Sequence, residues 1–518
     1  LLVVNKPAGL STHSPSPYAG EGLYEWLRNR EPEWANLAII HRLDKETSGV
    51  MVFSKTPLAN RSLTKQFAER KVRKTYVLLT DRGCGEQAFT IRSCLVRAGE
   101  RYVSRPVHRG GEVAETRFRS VQSYGNAGLP GTWEATPLTG KTHQIRVHAA
   151  EKEVPILGDV LYGGTAAARV YLHAEQLGFE HPESGKQVRF RSEPDFESDP
   201  RTALRVALTN SEESDAFRLI HGASDGWPRW SVDRLGRFLL SQAEDKLTQN
   251  QLRRLEQTVA QTGAAGAYQK VLSRQVRSAA PEDVGPRHLF GDVAPERFAI
   301  RENGLRFEMS FSEGYSTGLF LDQRENRRRL LTRYVAPGFE LSGRYSTVLN
   351  VFAYTCGFSA CAAKAGARVT SLDLSKKYLE WGKRNFAMNG MDAGAHDFIY
   401  GDAFDWLPRL AKKNRRFQLI LLDPPTFSRS KQFGVFRAQN DYQELVSSTL
   451  PLLEPNGVLF CSTNAADWKP EDFLTAIQQT IHKAKRRVTK QHYAPQPPDF
   501  PISREEPAYL KTVWLRVE

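Results

Sequence analysis

Asp44 stands between Arg42 and Lys45 in the stretch HRLDKETSG, residues 41–49. A carboxylate flanked by two cations, in a loop closing on Thr47, Ser48 and Gly49, should stay ionised and be held in place, as a nucleophile or general base requires. A loop-capping aspartate with a surface salt bridge fits the same pattern equally well. A second group, Lys141, His143, Gln144 and Arg146, gathers cations and an amide that could cradle phosphates or pin Asp44. Tyr76 sits at a strand position, where an aromatic is by default a core residue. Much further on, Asp423 follows the apolar run LILL and precedes Pro424 and Pro425, while Asp373 and Asp402 each follow an apolar run of their own. Two such centres with no shared periodicity argue for two catalytic units in one chain.

The elements that must position these residues differ between the two ends. Residues 1–4, 37–40, 49–54, 74–79, 115–120 and 132–137 read as short strands, with helices at 21–30, 57–70 and after Gly140. Lys6-Pro7-Ala8-Gly9 reads as a turn. That pattern predicts an α+β domain with a mixed, largely antiparallel sheet. Residues 193–202 are polar with two prolines and read as a linker. A small α+β domain follows: short strands over 216–242, an amphipathic helix at 247–263, a loop at 281–286 and a hairpin over 298–311 turning at Asn303-Gly304. Trp227 and Trp230 could meet bases there, though core packing is the simpler reading, and the region is assigned a structural role.

From residue 347 strands and helices alternate regularly, which predicts a parallel sheet with helices on both faces, an α/β fold. Ligands of such sheets lie beyond the carboxyl ends of the strands. The rule places the loop from Phe352 through Tyr354 and Thr355 to Gly357, then Asp373, Leu374, Asp402 and Asp423, on one rim. Asp373 is set to accept hydrogen bonds from a ribose diol, and Asp402 to meet an adenine amino group. A dinucleotide site needs a denser glycine run than the single Gly357, so S-adenosylmethionine is the better cofactor. The domains are expected at 1–198, 199–298 and 299–518.

At 518 residues the chain exceeds one hydrophobic core. Its formal charge of +14 favours a polyanionic partner, nucleic acid first and an anionic membrane second. No run of apolar residues could span a bilayer. Five cysteines without metal-ligand spacing give neither a disulfide framework nor a metal site and suit a reducing compartment. The opening LLVVNKPAGLS does not read as a signal peptide, no further RNA-binding module precedes it in this sequence, and cytoplasm is the default location.

The segments NKPAG, HRLDKETSG, KTYVLL, LTGKTHQIRVH, PILGDVLYG and LHAEQLGF occur here in the order seen in the RluA-type pseudouridine synthases, and residues 1–193 resemble that family. The resemblance implies that Asp44 is the catalytic aspartate and that Tyr76 stacks on the uracil. It implies that Lys141 is the basic residue pairing with the aspartate, and that Arg42 fills the gap left by the ejected uridine. It also implies a reaction without cofactor or metal. GLFLDQRENRR, VLNVFAYTCGFS, VTSLDLSKKYLEWGKRNFAMNG, GDAFDWL and LILLDPPTFSRSK resemble the class I RNA methyltransferases of the RlmI and RlmK kind, with a Rossmann-like fold, over about residues 300–518. The region from Ala216 resembles the small domain preceding the catalytic one in that family.

That second resemblance is nearest to the guanine-N7 half of RlmKL and implies large-subunit rRNA as substrate, with no stable protein partner evident. It places Asp322 and Arg324 near the cofactor, Asp423, Pro424 and Pro425 around the base, and Thr426 and Phe427 in its pocket. Cys356 stands where many members have a second glycine, which would crowd the loop. Cytosine C5 chemistry needs a cysteine thiolate, and the equivalent place here is Asn464, with Cys461 three residues earlier as a packing residue. Methylation of an exocyclic amine stays open. Arg327 to Arg329, Lys412 to Arg416 and Lys483 to Arg487 together suggest a phosphate track, and residues 428–433 a loop closing over RNA.

Overall fold

The computed structural model describes residues 1–121, 131–272, 285–313, 317–341, 346–430, 434–503 and 505–518. The chain divides into two compact units. The first comprises residues 1–15, 22–28 and 33–207, and the second 208–518 with 16–21 and 29–32.

The first unit is built on a ten-stranded sheet. Its main order runs Leu2–Lys6, Ser48–Ser54, Leu172–Glu180, Arg73–Thr80, Gly131–Pro137, Glu112–Val121, Ala88–Ala98 and Arg101–Arg105. These pairings are antiparallel except Ser48–Ser54 beside Leu172–Glu180, so the expected mixed, largely antiparallel sheet is present. Strand Ser48–Ser54 is buried along its whole length. Val50 and Val52 share a core with Leu63, Leu177 and Phe179. Leu63 comes from helix Pro57–Ala68, which Thr56 caps by accepting from Ala59 N and Pro57 opens at its first turn. The loop carrying Asp44 thus runs straight into the unit's best-packed strand.

Helix Gln144–Glu151 is buried at six consecutive positions, Gln144 through Ala149. Its polar side chains therefore need internal partners. Gln144 Nε2 donates to Glu115 O at 2.9 Å, and His148 Nδ1 pairs with Thr116 Oγ1 at 2.9 Å. Residues 193–199 carry no helix or strand, as a linker would, but a helix, Pro200–Ala207, follows within the first unit. The two prolines had suggested a continuous linker; Pro200 instead occupies a first helical turn, where its missing N–H costs nothing.

In the second unit a five-stranded sheet orders Ala216–His221, Trp230–Leu235, Phe238–Ala243, Gly266–Val271 and Arg287–Gly291. Helix Gln249–Thr262 makes the crossover between its one parallel pair. Thr248 and Gln251 form its capping box, and Gly263 ends it at φ 64°. Trp230 is buried and packs edge-on against Trp227 at 5.0 Å, as core residues do. The hairpin Phe298–Glu302 with Leu305–Met309 turns through Asn303 and Gly304, both at positive φ as a primed turn requires. The loop expected at 281–286 lies outside the described residues but for its last two.

The seven-stranded sheet that follows runs Asp397–Tyr400, Arg368–Asp373, Thr347–Val351, Phe417–Leu422, Leu453–Thr463, Lys511–Val517 and Val488–Tyr493. The first five strands are parallel, Lys511–Val517 runs antiparallel to both of its neighbours, and helices connect the parallel strands, so the α/β expectation is borne out. The order reverses between Thr347–Val351 and Phe417–Leu422, and a crevice opens at such a switch point. Among the described residues no helix is long and apolar enough to cross a membrane, and no cluster of His, Cys, Asp or Glu could hold a metal ion.

Candidate functional site

Two cavities, one in each unit, hold most of the singled-out residues. The first, about 1070 Å³, is lined by Arg42, Asp44, Tyr76, Lys141, His143 and Arg146 among others. Asp44 is held through its backbone. Its carbonyl accepts from Thr47 N at 3.1 Å, and the next carbonyl, of Lys45, accepts from Gly9 N at 2.8 Å and from the buried Lys6 ammonium at 3.2 Å. The NKPAG turn therefore braces the loop from below.

The cation nearest the Asp44 carboxylate is Arg146, whose Nη1 lies 3.6 Å from Oδ2. Lys141, expected to pair with Asp44, points instead to Glu112, 3.0 Å from its Oε1. The physical reason is the chain path. Lys141 precedes the helix and is half-buried, whereas Arg146 lies inside it, where its guanidinium must be neutralised. Asp159 does this through two bonds of 2.7 and 2.8 Å, and the fork so fixed turns its remaining nitrogen toward Asp44. Tyr162 covers the guanidinium at 5.1 Å. Gly158 makes this possible: at φ 82° it passes so close to Arg169 O that a Cβ there would sit 1.7 Å away. Asp159 and Tyr162 were missed by the sequence reading, although both lie in the quoted segment PILGDVLYG.

His143 Nε2 is 3.9 Å from Asp44, but burial holds its pKa below the usual imidazole range, so this is a neutral contact near pH 7. Its Nδ1 meets Tyr162 Oη at 2.7 Å. Tyr76 also lines the cavity, and burial with the charge of Asp44 raises its phenol pKa, so it stays neutral. Arg42 is exposed at the rim.

The second cavity, about 440 Å³, lies at the carboxyl ends of the parallel strands. Phe352, Tyr354, Asp373, Leu374, Asp402, Asp423, Pro424, Pro425, Thr426 and Asp322 line it as expected, joined by Phe320, Gln323, Tyr378, Asn464 and Leu510. Asp373 accepts from Tyr354 N at 2.7 Å and from Ser375 N at 2.8 Å, and burial raises its pKa. Asp402 caps helix Ala403–Lys412 by accepting from Phe404 N at 2.9 Å. Asp423 Oδ1 accepts from Gln323 Nε2 at 3.2 Å, and that amide also reaches Ser462 at 2.8 Å. Burial, then the charge of Asp322, raises the Asp423 pKa to about 6. Tyr509 Oη donates to Asp322 at 3.0 Å.

Three expected cofactor residues lie elsewhere. Arg324 is buried in a two-bond ion pair with Asp499, at 2.9 and 2.7 Å. Thr355 is fully buried and donates to Gly318 O. Gly357 begins helix Gly357–Lys364 beneath Leu319, whose Cδ1 a Cβ would meet at 2.7 Å, so its glycine serves packing. Cys356 does not crowd the cavity either. It is buried with its sulfur against Gly382, where a Cβ would come within 2.4 Å. Cys461 is buried in its strand, and burial raises its pKa.

Of the basic clusters, Arg327 is buried on Glu302 and Arg329 donates to Val335 O, so neither is presented to phosphates. Lys412, Lys413 and Arg416 remain exposed. In the stretch 428–433, Phe427–Ser430 pairs with Gly434–Arg437 as a hairpin, and 431–433 lie outside the described residues. Asp499→Ala would take away the two-bond partner of the buried Arg324 guanidinium and leave it only the longer contact to Glu325 at 3.4 Å, at a cost of up to about 3–5 kcal/mol. A lower melting temperature of the second unit checks this, while Arg416→Ala should leave melting unchanged.

The donor set fits S-adenosylmethionine. Asp373 offers carboxylate lone pairs at a strand end, Asp402 lies near it on the lining, and Phe352, Leu374 and Tyr378 supply apolar surface in a cavity of nucleoside size.

Comparison with known proteins finds a match in each unit. The family model described as RNA pseudouridylate synthase matches residues 1–151, and that of the S-adenosylmethionine-dependent methyltransferases matches residues 217–516. A Deinococcus radiodurans protein named ribosomal RNA large subunit methyltransferase is 35% identical over 324 residues, covering 61% of this chain and 76% of that one. The ribosomal RNA large subunit methyltransferase K/L of Psychrobacter cryohalolentis is 38% identical over 195 residues, 37% of this chain and 24% of that one. A methyltransferase crystal structure complexed with SAH superposes with a TM-score of 0.51 at 30% identity, covering 59% of this chain and 76% of that one.

Proposed function

Because the chain belongs to the S-adenosylmethionine-dependent methyltransferase family and joins to it an RluA-type pseudouridine synthase domain, we propose that it modifies large-subunit rRNA twice. In this reading the first site isomerises uridine to pseudouridine, and the second methylates guanine at N7. The names of the relatives support the RNA, and a ribosomal substrate is in keeping with the cytoplasm as the location in this reading. We assign residues 1–198 to the synthase, 199–298 to the small domain and 299–518 to the methyltransferase.

Uridine and pseudouridine have the same composition, so the first reaction balances without any group entering or leaving for good. Asp44 attacks the ribose or the uracil ring, the N1–C1′ bond breaks, the base rotates, C5 bonds to C1′ as the Asp44 carboxylate is released, and the proton lost from C5 is balanced by one gained at N1. Arg146 neutralises the attacking carboxylate, and Tyr76, kept neutral, stacks on the ring and meets the departing proton. No cofactor is asked for.

When bound, S-adenosylmethionine supplies an electrophilic methyl group. Asp373 would hold its ribose, and Asp402 its adenine. The observation that carries the N7 reading is the wall facing the base: Asn464 lines it, and no cysteine does among the described lining residues. Without a thiolate, cytosine C5 has no activating nucleophile. Guanine N7 already has a lone pair and needs alignment and desolvation, which Asp423, Pro424 and Pro425 provide. Ionised, Asp423 offers both oxygens to the base as acceptors; protonated, it gives one of them over to an O–H donor.

Nucleoside mass spectrometry of large-subunit rRNA treated with and without S-adenosylmethionine tests the assignment. Pseudouridine in both samples and 7-methylguanosine only with the cofactor are expected. The carboxyl of Asp423, with a pKa raised to about 6, is protonated below that value and ionised above it. Methylation should therefore rise with pH through about 6, and Asp423→Asn should lose the rise together with most of the rate. A 5-methylcytidine product would overturn the N7 reading.

A further inference from the structure

Lys74 brings a positive charge into the first cavity, and among the described residues no carboxylate forms an ion pair with it. It stands on strand Arg73–Thr80, two residues before Tyr76, and both side chains line the cavity. Its one hydrogen bond among the described residues runs to Thr139 O at 3.5 Å, the outer limit for such a bond. Burial lowers its pKa, and no neighbouring carboxylate opposes the shift. Lys6 makes the contrast: it is more deeply buried, yet Glu46 and Asp44 both act to restore its charge.

Asp44 and Glu46 line the same cavity, but among the described residues neither forms an ion pair with Lys74. His41 accepts from Val52 N at 3.2 Å through Nε2, so its proton sits on Nδ1 and the ring is neutral. Burial, then Lys74, lowers its pKa to about 3, and Phe67 stacks on it at 4.9 Å. Arg70, at φ 57°, adds a second cation to the lining. Gly140 keeps the space in front of the ammonium clear, since a Cβ there would come within 3.4 Å of Nζ.

We propose that Lys74 is a phosphate subsite, holding a backbone phosphodiester of the RNA whose uridine enters this cavity; the inference rests on the pseudouridine synthase reading. An ammonium that loses its water as substrate fills the cavity needs a full negative charge, and a uracil carbonyl supplies only a dipole. Residues i and i+2 on one strand face are about 7 Å apart, a fitting offset between a base at Tyr76 and a phosphate of the strand that carries it. Lys74 touches no reacting atom and acts by positioning.

The test measures pseudouridine formation on a large-subunit rRNA transcript over a range of salt, for the full chain and for Lys74→Met, Lys74→Gln and Lys74→Arg. Loss of the charge should raise KM about ten- to a hundredfold, the worth of one charge-assisted bond, with a much smaller change in kcat. The log–log salt dependence should become shallower by about 0.7, the share of one phosphate on a single strand. Lys74→Arg should keep both near the parent values. Lys74→Gln guards against misfolding of the methionine variant, with an unchanged melting temperature of the first unit as the check. An unchanged salt slope, or a loss confined to kcat, would sink the subsite. No pseudouridine from the unsubstituted chain would remove the synthase reading, and the subsite with it.

Discussion

Asp44→Ala will abolish pseudouridine formation, by at least about a thousandfold as for other nucleophiles that act as part of a unit, while methyl transfer by the same chain continues. The carboxylate lines a cavity formed by the first unit alone, and the second cavity draws only on the other unit. Product-resolved mass spectrometry separates the two outputs in one sample. The same assay ranks the two cations. Arg146→Met should approach the Asp44 variant, because Asp159 aims that guanidinium at the carboxylate. Lys141→Met should cost far less, since its ammonium lies on Glu112. Equal losses at the two positions would show that substrate binding redraws this side of the cavity.

Asp373→Asn will do the converse, weakening cofactor binding about ten- to a hundredfold and leaving pseudouridine untouched. The ring of backbone donors at Tyr354 and Ser375 holds the carboxylate in place, and asparagine keeps the shape but not the charge. A hydrogen bond to a charged group contributes about 1.5–3 kcal/mol, which sets the expected range. Calorimetric titration with SAH reads it directly. An affinity unchanged within about twofold would remove Asp373 as the ribose ligand and turn attention to Asp402.

Much of this was legible in the sequence because backbone period and site chemistry coincide. The apolar strands ending at Asp373 and Asp423 announce a parallel sheet, and a parallel sheet fixes which ends meet a ligand. Asp44 and Tyr76, singled out in HRLDKETSG and KTYVLL, do line one cavity. What spacing could not supply is which way a side chain faces once its element is buried. Lys141 and Arg146 are near neighbours in sequence, yet one side chain is left at a turn and the other is drawn into a helix buried on consecutive positions. Arg324 was expected near the cofactor and Arg327 and Arg329 on a phosphate track, but each lies buried, two of them on carboxylates 175 and 25 residues away that no local pattern could name. Gly357 looked like a ligand-approach glycine, and its neighbour Leu319 shows that it admits a leucine.

The five cysteines carry one more implication. Cys94, Cys356, Cys361 and Cys461 are buried, and Cys84 is partly covered. Burial pushes the Cys356 thiol up to about 12 and those of Cys361 and Cys461 higher still. A thiol held protonated neither alkylates readily nor enters the oxidation ladder that begins at the thiolate. Since neither cavity wall includes a sulfur among the described residues, both chemistries should proceed at the same rate in peroxide-stressed and in reducing surroundings. Ribosomal RNA modification by this chain would then be set by substrate and cofactor supply, independent of the redox poise of the cell.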